Sequence, residues 1–197
     1  MTAVREQIIE ATGRLLEAQG YHATGLNEIV AQSGAPKGSL YYYFPGGKEE
    51  MAAEAVARAG ERLAQRIETN LGGDEPPAEA VRQFVRRIAD GVEASGFRAG
   101  GPLLAVAMET VTDSERLNLA CRRAYERLQQ AFARRFEDGG CSAERAAQLA
   151  TFVTAAIEGG IILSRTNHSG EALRCVAQEL GAWLEGEGER SGIEDWH

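Results

Sequence analysis

Lys37, Ser39, Tyr42 and Tyr43 lie close together in the chain and bring together an ammonium, a hydroxyl and two phenols. All four are hydrogen-bond donors of the kind that phosphate oxygens accept. Gly38, between the first two, has no side chain and lets the backbone approach a ligand closely. The spacing predicts a short helix over Lys37–Phe44, with Leu40 and Phe44 turned inward and the donors outward. Tyr41 is expected to be half-buried, and packing of the tyrosines against a neighbouring helix is the competing reading. A helix over Leu26–Ser33 must precede this one, with Leu26, Ile29 and Val30 on one face and Thr24 as the cap whose hydroxyl accepts a backbone N–H. Gly34 ends it, because glycine tolerates the left-handed conformation of a helix C-terminus, and Pro36 suits the first turn of the next helix. Two short helices joined this tightly form a helix-turn-helix, whose second helix enters the major groove of DNA.

Taken alone, the net charge of −8 opposes binding to a polyanion. Its distribution removes the conflict. Arg5, Arg14, Lys37 and Lys48 balance Glu6, Glu10, Glu17 and Glu28, so residues 1–48 are neutral and the rest of the chain carries the whole excess. Between Gly34 and Lys48 there are two cationic residues and no anionic one. An acidic body disfavours loose coating of DNA, and it excludes an architectural DNA-bending protein, which would be strongly basic.

The same residues resemble a known family. An amphipathic first helix, the Ala18–Tyr21 turn, Thr24, the run K-G-S-L-Y-Y-Y-F at Lys37–Phe44 and Lys48 at the start of the following helix are similar to the TetR family of transcriptional regulators. The resemblance implies that Thr24, Lys37, Gly38, Ser39, Tyr42, Tyr43 and Lys48 touch operator DNA. Ala35 departs from the pattern, since a small hydroxyl residue is common there. Phe44-Pro45-Gly46-Gly47-Lys48, and Gly101-Pro102 followed by Ala-Met-Glu, resemble the LmrA/YxaF-like branch. That likeness implies a planar aromatic or drug-like inducer and control of a neighbouring efflux or detoxification gene.

The 197 residues, 44% hydrophobic and 25% charged, fit one chain of one or two domains with an all-α fold. We expect a helix-turn-helix DNA-binding domain at residues 1–46 and a ligand-binding and dimerisation domain at 47–197. Beyond Lys48 the pattern is helical throughout. Helices are expected at about Gly47–Leu71, Pro77–Ser95, Pro102–Val111, Ser114–Glu137, from the Ser142 cap to Thr166, and at Glu171–Glu185, before an acidic glycine-rich tail. No stretch approaches the roughly 20 apolar residues of a membrane span, and the N-terminus reads as an amphipathic helix rather than a signal peptide, so we expect a cytoplasmic protein without membrane contact. Cys121, Cys141 and Cys175 are widely spaced, odd in number and lack metal-ligand companions, so reduced thiols are expected, with neither metal nor cofactor.

Ala155 with Gly159, and Ala156 with Gly160, place small residues one turn apart on the eighth helix, where another helix can approach. Phe152, Ile161, Ile162 and Leu163 flank them. These residues mark a homodimer interface, with packing inside the same chain as the alternative. A single short recognition helix reads few bases, and a two-fold dimer presents two. The resemblance implies that the last two helices build a four-helix interface. A sensor also needs an internal pocket for an apolar or aromatic inducer. Phe84, Ile88, Leu104, Met108, Cys121 and Tyr125 are candidate walls, although such stripes also serve as plain core. Glu109 and Glu158 lie on apolar helices and must find a partner or a ligand, with Arg98 and Arg165 as candidate partners.

Catalysis has no comparable candidates. The chain lacks a serine nucleophile elbow, a paired-histidine metal motif and a phosphate loop, and His22, His168 and His197 sit in turns or at the terminus. The expected function is a ligand-responsive DNA-binding regulator, most often a repressor released from its operator by a small molecule. The alternative is a small-molecule-binding helical protein or enzyme that uses the N-terminal domain only for docking.

Overall fold

The computed structural model describes residues 3–110 and 114–191, and among them every regular element is a helix. These are α1 (Ala3–Ala23), α2 (Leu26–Ser33), α3 (Lys37–Tyr43), α4 (Gly47–Leu71), α5 (Pro77–Ala94), α6 (Pro102–Thr110), α7 (Glu115–Asp138), α8 (Ala143–Asn167) and α9 (Glu171–Ser191). The last runs past the expected stop at Glu185, because Gly186 does not break a helix that is still packing Leu184 and Glu187. Val111 and the end of the acidic tail lie outside the described residues. The chain divides into two compact units, residues 1–62 with 101–126, and residues 63–100 with 127–197, so α4 and α7 each belong to both.

In the first unit, Ile8, Ile9, Leu15 and Leu16 of α1, Ile29 of α2, Leu40 and Phe44 around α3, and Met51 and Val56 of α4 form the core. Thr12 is buried among them, and its hydroxyl donates to the Ile8 carbonyl at 2.8 Å. Three ion pairs tie α1 to α4: Arg5 with Glu54, Glu6 with Arg58, and Glu10 with Arg62. The first two are only partly exposed, so they also fix the rotation of α4 about its axis. Burial, and then the neighbouring Arg62 and Arg5, hold the Arg58 guanidinium below its ordinary pKa. On α4, Gly60 is required by close packing, since a β-carbon there would lie 2.6 Å from that of Ala124 on α7.

In the second unit, α5 packs against α9 and α8, and α8 packs against α9. Phe84 of α5 meets Phe132 of α7 edge-on, with ring centroids 6.0 Å apart. Ser142 caps α8 as expected, accepting the Arg145 N–H at 3.3 Å. By length and composition α8 is apolar enough to cross a bilayer, contrary to the sequence expectation. Its apolarity has another source: one face is buried against α5 and α9, and a second apolar stripe remains at the surface. Arg82 bridges Glu79 and Glu185, and Arg174 bridges α9 to Glu93 of α5. Glu93 also accepts the Gly170 N–H at 3.0 Å.

The Arg174 hydrogen bond, and then that from Gly170, hold the Glu93 carboxyl below its ordinary value of 4.5. A carboxyl depressed by folding stabilises the native state above its unfolded pKa, and that contribution is lost as pH falls through the folded value. E93Q should therefore melt below the wild type at pH 7, and the gap between the two should close as pH is lowered past 4.5. Circular-dichroism melts of both proteins across that range provide the check.

Candidate nucleic-acid interface

Gly34 takes the left-handed conformation (φ 66°) and its N–H donates to the Val30 carbonyl at 3.1 Å, which ends α2. Pro36 stands at the N-cap of α3 rather than inside its first turn. Leu40 and Phe44 then anchor α3 to the core, and Phe44 closes it by donating its N–H to the Leu40 carbonyl at 2.8 Å. With that face fixed, Lys37 and Gly38 are exposed, Ser39 is half-buried and Tyr42 is 79% exposed. Tyr43 is half-buried, with its ring edge-on to that of Tyr42 at 4.9 Å. Tyr41 is exposed rather than half-buried, which counts against the competing reading that it packs on a neighbouring helix. A β-carbon on Gly38 would meet nothing within 4 Å, so the packing of this chain does not demand a glycine there.

Thr24 needs a correction. Gly25 is the N-cap of α2, and its N–H donates to the Glu28 carboxylate at 2.9 Å. The Thr24 hydroxyl is buried and donates to the Gly20 carbonyl at 2.6 Å, while its N–H donates to the Tyr21 carbonyl. It closes the turn after α1 instead of facing outward. Ala35, the departure noted above, is buried. Lys48 is half-buried: its Nζ donates to the Tyr21 carbonyl at 3.0 Å and lies 4.2 Å from the centre of the Tyr21 ring. An ammonium has three donors, so others remain for a phosphate. Burial, and secondly Glu49, push the Tyr21 phenol above its ordinary pKa, which keeps it neutral beneath the lysine.

The expected pocket residues are divided between the two units. Phe84, Ile88 and Glu158 belong to one unit, and Leu104, Met108, Glu109, Cys121 and Tyr125 to the other. Met108 is 72% exposed and is not a wall of an enclosed space. Glu109 has a backbone partner. Its carboxylate accepts the His22 N–H at 2.8 Å, which joins α6 to the end of α1. At the other end of α6, Glu17 accepts the Gly101 N–H at 2.9 Å. Cys121 is buried, and burial raises its thiol to about 11, so it remains protonated and behaves as a small apolar group.

On α8, Phe152 and Leu163 are 50% and 54% exposed, and Ala155 and Ile162 are exposed beside them. A β-carbon on Gly159 would meet open space, so this glycine lies on the same stripe. Gly160 does not: a β-carbon there would stand 2.9 Å from the Leu173 side chain, so it is buried against α9 of its own chain, with Ala156 half-buried and Ile161 buried. The sequence reading missed Trp183, whose ring lies 4.7 Å from that of Phe152. Its signal was legible, since Leu173, Ala177, Leu180 and Leu184 mark the buried stripe of α9 and Trp183 falls outside it.

Residues 8–55 match the family described as bacterial regulatory proteins, tetR family, and residues 77–179 match the C-terminal domain of transcriptional regulators described as LmrA/YxaF-like. The chain is 40% identical over 176 residues to the uncharacterized HTH-type transcriptional regulator YxaF of Bacillus subtilis, covering 89% of this chain and 92% of the relative. It is 43% identical over 162 residues to the HTH-type transcriptional regulator LmrA of the same organism, covering 82% and 86%. Among solved structures, the regulatory protein TetR from Rhodobacter sphaeroides superposes with a TM-score of 0.81 at 23% identity, over 92% of this chain and 98% of that one. Reduced NemR of E. coli superposes with a TM-score of 0.79 at 22% identity, over 91% and 95%.

Gly20 controls the junction that positions this interface. Its φ is 80°, and a β-carbon would fall 1.8 Å from a carboxylate oxygen of Glu109. G20A should lower stability by about 2 kcal/mol through backbone strain and loss of the Glu109 contact. Urea unfolding measures it, and G20A in an E109A background should be milder than G20A alone.

Proposed function

This chain belongs to the TetR family and is a DNA-binding transcriptional regulator rather than an enzyme, and from that premise we propose that it is a homodimeric repressor released from its operator by a small molecule. The observation that carries the DNA-binding part is the outward face of α3. Lys37, Ser39, Tyr41 and Tyr42 offer donors around Gly38, at which the chain itself needs no glycine. Lys37, Ser39, Tyr42, Tyr43 and Lys48 are the donors to the duplex, with Gly38 as the point of closest approach. Thr24 is left out, because its hydroxyl and N–H are both used inside the fold.

The exposed stripe of α8, with Trp183, is the dimer surface. Phe152, Ala155, Gly159 and Leu163 fall on one face at helical spacing, and the glycine allows close approach. A dimer built on it presents two α3 helices to half-sites on one side of the duplex. An apolar or aromatic inducer bound among the helices following α4 shifts α6 and α7. The α6 end of that change reaches the interface through Glu109 and Glu17, which bond the backbone at its two ends. Reversing occupancy from 99:1 to 1:99 requires about 10⁴-fold preference of the inducer for the non-binding state, or roughly 5.5 kcal/mol, shared between two sites. Its place of action is the cytoplasm, where the operator is.

Two outcomes test this reading. In fluorescence anisotropy on a duplex selected from a random library by the wild-type protein, Y42F should lose about 1 kcal/mol of affinity per half-site without a change in sequence preference. K37A should lower the salt slope by about 1 per half-site. In analytical ultracentrifugation, F152E combined with L163E should convert the dimer to a monomer that remains helical, and binding should weaken with it; a wild type that sediments as a monomer when bound overturns the dimer.

A further inference from the structure

The cation that best extends the α3 surface lies outside the helix-turn-helix. α7 begins at Glu115, yet its start is seated on the turn that follows α3. The Ser114 hydroxyl donates to the Glu49 carboxylate in the first turn of α4. A β-carbon on Gly46 would lie 2.6 Å from Nη1 of Arg116. Gly46 is not in the left-handed region, so its backbone does not require glycine. What the missing side chain provides is room for the Arg116 guanidinium against an exposed stretch of backbone.

Arg116 is exposed, and it has no ion pair among the described residues. Arg5, Arg58 and Arg62 of this unit are each held by a carboxylate of α1 or α4. Glu50 stands at the same turn: it accepts the Gly46 N–H at 2.7 Å, and its Oε2 would stand 3.0 Å from the same β-carbon. A carboxylate at that point repels a phosphate, and the guanidinium beside it offsets that charge. Arg116 therefore places a planar, permanently charged donor against Gly46, two residues before Lys48 in the chain and in the turn that follows α3.

We propose that Arg116 is a DNA-contacting residue that donates to a backbone phosphate next to the one held by Lys48. This inference rests on the regulator reading above. The contact differs in kind from those of α3, because it is carried by the first turn of α7. It positions the duplex and reads no base.

The test uses the full chain and the selected duplex, in an anisotropy titration across a salt series. In R116A the slope of log K against log salt should fall by about 0.9 per half-site, with the selected sequence unchanged, and R116K should keep the wild-type slope. G46A should reproduce part of the loss, because its methyl group displaces the guanidinium, and should add nothing in the R116A background. A wild-type slope in R116A overturns the proposal, and so does an altered sequence preference, which would make Arg116 a prop for α3. Absence of competitor-resistant binding by the wild type to any library duplex would instead bring down the regulator reading, and this inference with it.

Discussion

The DNA-facing unit depends on the backbone of five residues, Gly20 to Thr24. The Gly20 carbonyl accepts the Thr24 hydroxyl, the Tyr21 carbonyl accepts the Lys48 ammonium, and the His22 N–H donates to the Glu109 carboxylate. One turn of chain thus binds α1, α2, α4 and α6 together, using groups that a regular helix would have consumed internally. The positive φ of Gly20 makes this possible, since it ends the α1 hydrogen-bonding pattern and frees these groups. Any other residue there would meet the Glu109 carboxylate as well as the backbone penalty.

That hub explains how an acidic protein can present a surface suited to a polyanion. Several carboxylates of the first unit are engaged inside it. Glu6, Glu10 and Glu54 are spent on the arginines between α1 and α4, Glu17 and Glu109 on backbone amides around α6, and Glu28 on the N-cap of α2. What remains facing outward around α3 is cationic or neutral. Pairs of this partly exposed kind stabilise by about 0–1 kcal/mol each, so their main effect is to sort charge and fix orientation.

The second unit shows the same division of labour in apolar residues. Helix α8 is apolar on two faces: Val153, Ile157 and Ile161 are buried in the chain, and Phe152, Ile162 and Leu163 are left at the surface. An exposed apolar stripe marks a place where another surface is expected. The two adjacent glycines divide along the same line, Gly160 toward α9 and Gly159 toward open space.

Local pattern carried much of this architecture. The helix-turn-helix, the left-handed Gly34, the inward Leu40 and Phe44 and the Ser142 cap are all short-range features, settled by φ preference, helical spacing and a nearby acceptor. The errors came where a residue's partner lies outside the helix to which the pattern assigned it. Thr24 had the right type for a cap, but the carbonyl freed by Gly20 captured its hydroxyl. Glu109 had to find a partner, and found an amide 87 residues away. Small residues one turn apart could not say which neighbour they approach, because Gly159 and Gly160 differ by one helical step of about 100° and only packing assigns each a side. The exposure of Met108 and the seat of Arg116 on Gly46 likewise appear only once α6 and α7 are in place. Periodicity reports which face of a helix is apolar, and the identity of what covers that face is a property of the folded chain.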